Sequence, residues 1–532
     1  MLTMPKGPSA MSSPGSLKVP RPPEVPLALL ICALPILVAT VALAAIIPPG
    51  PDLLWRLHLA GRMLDGLVLY RDLIEVNPPL WFWTALPAVW LGKLMQVPAY
   101  QVLIGFNLLL ASLCVGLLYV LLRATVAKFV ATCVSLAFLA GLCLIPVGDW
   151  GQREQALLAA CGLWTALVAL RAQGKEVPWQ IAVLVGLIGA YGFALKHYFV
   201  LIPLVLEIWL VVRLKRVSSL FRPETWTLGG AACLYAILVA VFAPDFLTRV
   251  LGLVAASYDA YGPLSRLSPL DRLLRLLSQC SFILSPILAL ILTRQRHPLA
   301  MAFLLAAVTS VVIVVLQEKG WRYHAIAAQG LSLMILALSL ALAQQTGARW
   351  LHLVLICCLG LQTVWFELLR PMHQRILSGG QPVSPVMAQF LKAEPADSRI
   401  FILSTAPDLA YYPLARAGRT YWSRHYSMWM LPGLLTPSPD PRREAIRQAE
   451  LRRVRAEFVA DVTCSGPDVI VGELGYLRKP KRQVFDAVGF LSEDLRFKAW
   501  LATHYVRSKP AGRYPVWRRV GERPASCLPV PD

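Results

Sequence analysis

The sequence predicts a mainly α polytopic membrane helix bundle of about 11–12 helices, followed by a C-terminal α/β domain outside the cytoplasm. Three observations carry this. The 532-residue chain is 57% hydrophobic and 15% charged, with mean hydropathy +0.59, whereas soluble domains carry roughly 25% charged residues. Apolar runs of about 20 residues, the length that crosses hydrocarbon, recur from Val25 to residue 368. Beyond Arg370 the runs stop, and Pro, Arg and Asp become frequent.

Residues 1–25, rich in Pro and Ser with Lys6, Lys18 and Arg21, read as a disordered cytoplasmic tail. The apolar run Val25–Ile47 exceeds the roughly 7–15 residues of a signal peptide's core, so it is expected to be a retained anchor. Residues 26–370 then form the membrane domain, with a polar loop at 48–78. Further apolar segments fall near 79–97, 100–122, 125–146, 155–171, 179–195, 198–213, 226–243, 272–293, 298–316, 325–343 and 350–368.

The connections between them alternate in charge. One set carries Arg123 and Lys128; Arg171 and Lys175; Arg213, Lys215, Arg216 and Arg222; Arg294, Arg296 and His297; and Arg349. The other comprises the 48–78 loop, GDWGQREQ, LKHY, residues 244–271 and QEKGWRYH. The positive-inside rule places the first set in the cytoplasm and the second on the opposite face. The alternation holds only if 79–97, which is short and contains Pro87 and Lys93, makes a re-entrant or interfacial helix rather than a full crossing.

In residues 371–532, RIFILST, PDVIVGEL and RYPVWRRV read as strands. Residues 441–461, with Ile446, Leu451, Val454 and Phe458 at helical spacing, read as a helix. Alternating strands and helices indicate a small α/β domain, on the same outer face as the second set of loops.

The net charge of +21 is accounted for by basic cytoplasmic loops. No basic face with interleaved aromatics appears outside the membrane part, so no nucleic-acid partner is expected. Nine of the eleven cysteines lie in apolar segments and serve as small apolar residues. Cys464 and Cys527 lie in the soluble part, and whether they pair stays open. Asp52, Asp149 and Glu154 offer hard oxygen ligands, but their spacing does not argue for a metal, and no cofactor is expected.

Candidate chemistry gathers in the second set of loops. PPGPDLLWRLHLAGRMLDGLVLYRDLIEVNPPLWFW holds Asp52, Arg56, Arg62, Asp65, Arg71, Asp72 and Glu75. Leu53, Leu57, Leu64 and Leu67 recur at helical spacing, which predicts an amphipathic helix lying on the membrane surface. Asp52 stands where either a helix N-cap or a catalytic base fits. Asp65 and Asp72 have Arg62 and Arg71 beside them as local partners, and Trp81, Phe82 and Trp83 read as an interfacial belt. Arg153 and Glu154, then Lys196 and His197, then Lys319, Arg322 and His324, supply mixed cations, His and carboxylate on one face. Arg and Lys hold phosphate oxygens, and a nearby carboxylate takes a proton from an attacking hydroxyl.

On these residues the chain resembles the GT-C superfamily of integral-membrane glycosyltransferases, in the branch of protein O-mannosyltransferases and lipid A aminoarabinose transferases. The resemblance covers roughly residues 26–370. Asp52 takes the place of the acidic residue in the first outer loop. AsnProProLeu at 77–80 followed by TrpPheTrp matches a Lys-Pro-Pro-Leu-like stretch, GQREQ fits a second polar loop, and EKGWRYH is similar to a pattern in bacterial relatives. Two departures stand out: Leu53 follows Asp52 where many relatives have Glu, and Asn77 replaces Lys.

The resemblance implies inverting transfer of a sugar from a polyprenyl-phosphate donor to a glycan, lipid or protein acceptor at the outer face of a bacterial inner membrane. Asp52 would be the base, and Glu75, Arg153, Glu154, Lys196, His197, Lys319, Arg322 and His324 would bind substrate or phosphate. The competing readings are a transporter or flippase, or a ligase or polymerase of lipid-linked glycans outside this superfamily.

Overall fold

The computed structural model describes residues 26–258, 267–294, 296–345, 350–476 and 484–525. The tail at 1–25, Arg349 and Cys527 lie outside the described residues.

The chain begins with α1 (Leu27–Ile46), then α2 (Pro51–Leu64), α3 (Pro79–Trp83) and α4 (Leu86–Met95). A bundle follows: α5 (Ala99–Arg123), α6 (Lys128–Cys143), α7 (Arg153–Arg171), α8 (Trp179–Leu195), α9 (Leu201–Leu214) and α10 (Pro223–Phe242). It continues with α11 (Leu251–Ser257), α12 (Pro269–Gln279), α13 (Leu284–Thr293), α14 (Pro298–Gln317), α15 (Ile326–Gln345), α16 (Trp350–Val364) and α17 (Arg370–Leu377).

Among the described residues, seven helical segments are long and apolar enough to cross a membrane, and the pair Pro269–Ser278 and Ser281–Thr293, bent by 44°, is either an eighth, broken span or a re-entrant loop. The segments expected at 125–146, 155–171 and 179–195 are also helices. However, α6 and α8 are shorter, and α7 has charged ends. Segment 79–97 is split into α3 and α4, and neither is long enough to span.

Position in the bundle follows from surface chemistry. Helix α10 buries only Glu224 and Val239 and exposes Leu234, Ile237 and Val241, so its apolar surface calls for a hydrocarbon solvent. Helix α7 is the opposite case, with every residue from Glu154 to Leu170 buried. Small residues let its neighbours approach. A Cβ at Gly192 on α8 would stand 2.5 Å from the Ala160 Cβ and 2.9 Å from the Ala156 carbonyl oxygen of α7. Gly192→Ala is therefore expected to destabilise the fold by about 1–3 kcal/mol. An unchanged melting temperature of the purified protein would refute this tight contact.

Loops of the two sets meet at opposite ends of α7: from the first set, those at Arg171 and at 213–222; from the second, all five. At its Arg171 end, Arg171 pairs with Glu224 at 3.1 Å, and Arg222 pairs with Glu207 at 2.6 Å and Glu224 at 2.9 Å. At its Arg153 end the other five loops meet. Gln152 reaches Asp52 at 3.0 Å, Lys196 pairs with Glu154, Arg249 donates to the Tyr70 carbonyl at 2.9 Å, and Lys319 donates to the Tyr258 carbonyl at 2.9 Å.

The C-terminal part adds β1 (Ile400–Leu403), β2 (Val469–Gly472), β3 (Leu474–Tyr476), β4 (Val484–Asp486), β5 (Tyr505–Ala511) and β6 (Tyr514–Arg519). Its helices are α18 (Pro385–Ala393), α19 (Pro407–Arg416), α20 (Leu431–Leu434), α21 (Pro441–Ser465), α22 (Ala487–Leu491) and α23 (Leu495–His504). The four-stranded sheet has order β1-β2-β6-β5, with β1 and β2 parallel and the others antiparallel. The three expected strands appear as β1, β2 and β6, and the expected helix as α21, which buries Val454 and Phe458 but leaves Ile446 exposed. The polar sequence of β5, YVRSKPA, hid that strand, because only its two ends are buried. Cys464 is disulfide-bonded.

Two expectations are corrected. Helix α2 does not present one apolar face to a membrane surface. Leu53 and Leu57 are buried beside α4, Trp55 and Leu59 join the core of the C-terminal domain, and Leu64 is 42% exposed. The aromatic belt is corrected as well: Trp81 and Phe82 are fully buried, because α3 folds inward against α2 and the Gly151 turn.

Candidate active site

Asp52 sits in the first turn of α2. The N-cap is Gly50, so the capping role is not the one Asp52 plays. Its carboxylate instead accepts two side-chain hydrogen bonds, Oδ2 from Gln152 Nε2 at 3.0 Å and Oδ1 from the Tyr426 hydroxyl at 3.1 Å. A carboxylate has about four acceptor sites, so room remains for a further proton.

Burial raises the Asp52 pKa. The Gln152 and Tyr426 hydrogen bonds and the Arg153 charge pull it back, and Glu154 pushes it up. Because Tyr426 hydrogen-bonds the charged form, Tyr426→Phe is expected to raise that pKa further. If Asp52 acts as a base, the acid limb of a pH–rate profile then moves to higher pH. A limb that stays in place would show that Tyr426 does not tune Asp52.

The carboxylate opens on a cavity of about 410 Å³, lined among others by Asp149, Trp321, Arg322, Tyr323, Arg375 and Asp408. The membrane bundle and the C-terminal domain both contribute to its wall. Arg375 at the foot of α17 donates to Asp149 Oδ2 at 3.3 Å. Burial pushes Asp149 up to about 6 against the pull of Arg375, and the nearby Asp52 adds to the rise. Arg322 donates Nη2 to the Glu367 carbonyl at 3.0 Å, and it lines the cavity with no further side-chain hydrogen bond among the described residues.

Rigid supports hold α2 in place. Arg56 donates to the Trp81 carbonyl at 2.7 Å, the Gly151 carbonyl at 2.8 Å and Thr84 Oγ1 at 2.9 Å. Trp55 stacks on Tyr426 with ring centroids 5.0 Å apart and donates to Glu75 at 2.6 Å.

The other expected site residues take varied places. Glu75 is buried and raised by that burial. It accepts from Trp55, from the Val76 and Asn77 amides and from Asn77 Nδ2, so it is a structural knot rather than an open carboxylate. Asn77 passes that order on by accepting from Arg153, whose guanidinium lies 5.0 Å from the Trp81 ring centroid. Glu154 and Lys196 pair with each other in full burial, and His324 Nε2 lies 4.0 Å from Glu154. Lys319 sits over the Tyr258 ring at 4.0 Å. His197 is exposed and lies beside Tyr198. Asp65 and Asp72 have the expected partners, Arg62 at 3.5 Å and Arg71 at 3.0 Å.

Sequence reasoning missed Gln152, Arg375 and Tyr426. Gln152 lay inside the GDWGQREQ loop already singled out, and Arg375 closely follows the last apolar run. Tyr426 has no local signal, being 374 residues from its partner. Among the described residues, no group of three or more His, Cys, Asp or Glu is placed to hold a metal ion.

No family model matches the chain, and no curated protein matches its sequence. Solved structures do match its fold. ArnT from Cupriavidus metallidurans bound to undecaprenyl phosphate aligns over 94% of this chain and 98% of its own, at 12% identity and TM-score 0.52. The archaeal oligosaccharyltransferase AglB from Archaeoglobus fulgidus, in complex with an inhibitory peptide and a dolichol-phosphate, aligns over 87% of this chain and 74% of its own, at 12% identity and TM-score 0.45. The assignment rests on the first of these: the chain is a multi-pass membrane protein with the GT-C fold.

Proposed function

We propose that the protein is a glycosyltransferase of the bacterial inner (plasma) membrane that moves a sugar from a polyprenyl-phosphate-linked donor to a hydroxyl of a glycan, lipid or protein acceptor. In this reading the N-terminus is cytoplasmic. Residues 26–370 form the catalytic membrane domain, and residues 371–532 form an extracytoplasmic domain that closes over it. The observation that carries the reading is the Asp52 carboxylate in a cavity shared with Arg322 and Arg375, at one end of a lipid-facing bundle.

The chemistry follows from those groups. Asp52 accepts the proton of the acceptor hydroxyl as its oxygen bonds to the anomeric carbon. The bond from that carbon to the phosphate oxygen breaks, and polyprenyl phosphate leaves with the electron pair. One displacement inverts the anomeric centre. Arg322 and Arg375 stabilise the charge gathering on the phosphate, a role in which a single donor is worth about 10²–10³ in rate. Arg153 supports from behind through Asn77 and Trp81, and Lys319 lies over the Tyr258 ring.

The test is transfer in liposomes. Purified protein is given a radiolabelled polyprenyl-phosphate sugar and a cell-envelope extract as acceptor source. Label is expected in an acceptor, with polyprenyl phosphate released. Carriage of intact donor across the bilayer without bond cleavage would instead establish a flippase.

A further inference from the structure

A second cavity of about 660 Å³ lies beside the first, between the linker after α17 and helices α18 and α19. Gln381 lines both cavities. The linker is seated on the turn that leads into Asp52. Gly380 has φ +93, and a Cβ there would stand 2.9 Å from Pro48 Cδ. The Gln381 carbonyl accepts from the Tyr412 hydroxyl at 3.1 Å, which fixes the backbone. Its side-chain amide has no partner among the described residues, so it can turn toward either cavity.

The charge of the second cavity is one-sided. Its one carboxylate, Glu394, is buried and taken by Arg518 at 2.9 Å and 2.5 Å. Arg419 is spent on the wall, donating to the Pro395, Leu391 and Glu394 carbonyls. Lys392 and Arg416 remain. Both are exposed; Lys392 has no ion-pair partner among the described residues, and Arg416 donates only to the neutral Tyr412 hydroxyl. Two uncompensated cations in a concave site attract an anion.

We propose that this cleft is an acceptor subsite for a phosphate monoester, holding the acceptor's charged end at Lys392 and Arg416 while its hydroxyl reaches Asp52 past Gln381. The inference rests on the glycosyl-transfer reading of the Asp52 cavity. The phosphate belongs either to a free sugar phosphate or to a lipid headgroup.

Binding to the full-length protein in detergent separates these. Glucose 6-phosphate and dioctanoyl phosphatidic acid are titrated by calorimetry, with glucose as the neutral control. Wild type is expected to bind one or both phosphates and not glucose. The double variant Lys392→Gln/Arg416→Gln is expected to bind about tenfold more weakly. The arm that responds identifies the source. Equal affinity of the double variant and wild type, or no binding by wild type in either arm, overturns the proposal. This readout needs no turnover, so a protein that binds phosphate through Lys392 and Arg416 yet moves no sugar refutes the transferase reading and leaves the anion site standing.

Discussion

Asp52→Asn is expected to lower sugar transfer by about 10²–10⁴-fold, the usual worth of a general base, with little change in folding. The substitution keeps the shape and one acceptor oxygen, so one of the two hydrogen bonds from Gln152 and Tyr426 is retained, but it cannot take a proton. Its helix is anchored independently by the three Arg56 hydrogen bonds and by Trp55 on Glu75. Loss of activity with a normal melting temperature is therefore the expected pair of results. Asp149 is the control, since it shares the cavity but is held by Arg375. If Asp149→Asn abolishes transfer and Asp52→Asn does not, the base has been assigned to the wrong carboxylate.

Lys196→Met is expected to cost about 3–5 kcal/mol of stability, because it strands the Glu154 carboxylate in the interior without its cation. The pair is buried at both ends, with side-chain exposures of 2% and 0%. His324 is too far to replace the ammonium, with Nε2 4.0 Å from Glu154. Removing both charges removes the stranded group, so Glu154→Gln/Lys196→Met is expected to recover most of the loss. Thermal unfolding of the three variants in detergent reads this directly. A Lys196→Met protein that melts like wild type but has a raised KM for the lipid donor would show that the ammonium serves the phosphate instead of Glu154.

Hydropathy and loop charge made the architecture legible. Basic and mixed loops alternate along the chain, and the contacts at the two ends of α7 follow that alternation. Apolar runs did not reveal which helices face lipid and which lie inside. Thus α7 and α10 read alike in sequence, yet one is wholly buried and the other almost wholly exposed. The aromatic run at 81–83 misled for the same reason, since Trp is as suited to a packed turn as to a membrane interface.

The acidic residue at 52 stood out as a candidate because it lies in a charge-rich loop between apolar segments. Its hydrogen-bond partners could not. Gln152 and Tyr426 meet it only after the bundle has closed and the C-terminal domain has docked, contacts 100 and 374 residues away in the chain. Charge type alone also failed to separate paired from open groups. Glu75 and Glu154 looked alike as site carboxylates, but Glu75 accepts from four donors whereas Glu154 is ion-paired with Lys196.

The most direct measurement is an experimental structure of the Asp52→Asn protein with a polyprenyl-phosphate sugar bound, since the variant should hold the donor without consuming it. The expected result places the anomeric carbon facing Asn at position 52, the phosphate between Arg322 and Arg375, and the prenyl chain leaving toward the apolar helices. A headgroup seated at the other end of the bundle, beside Arg171, Arg222 and Glu224, would contradict it.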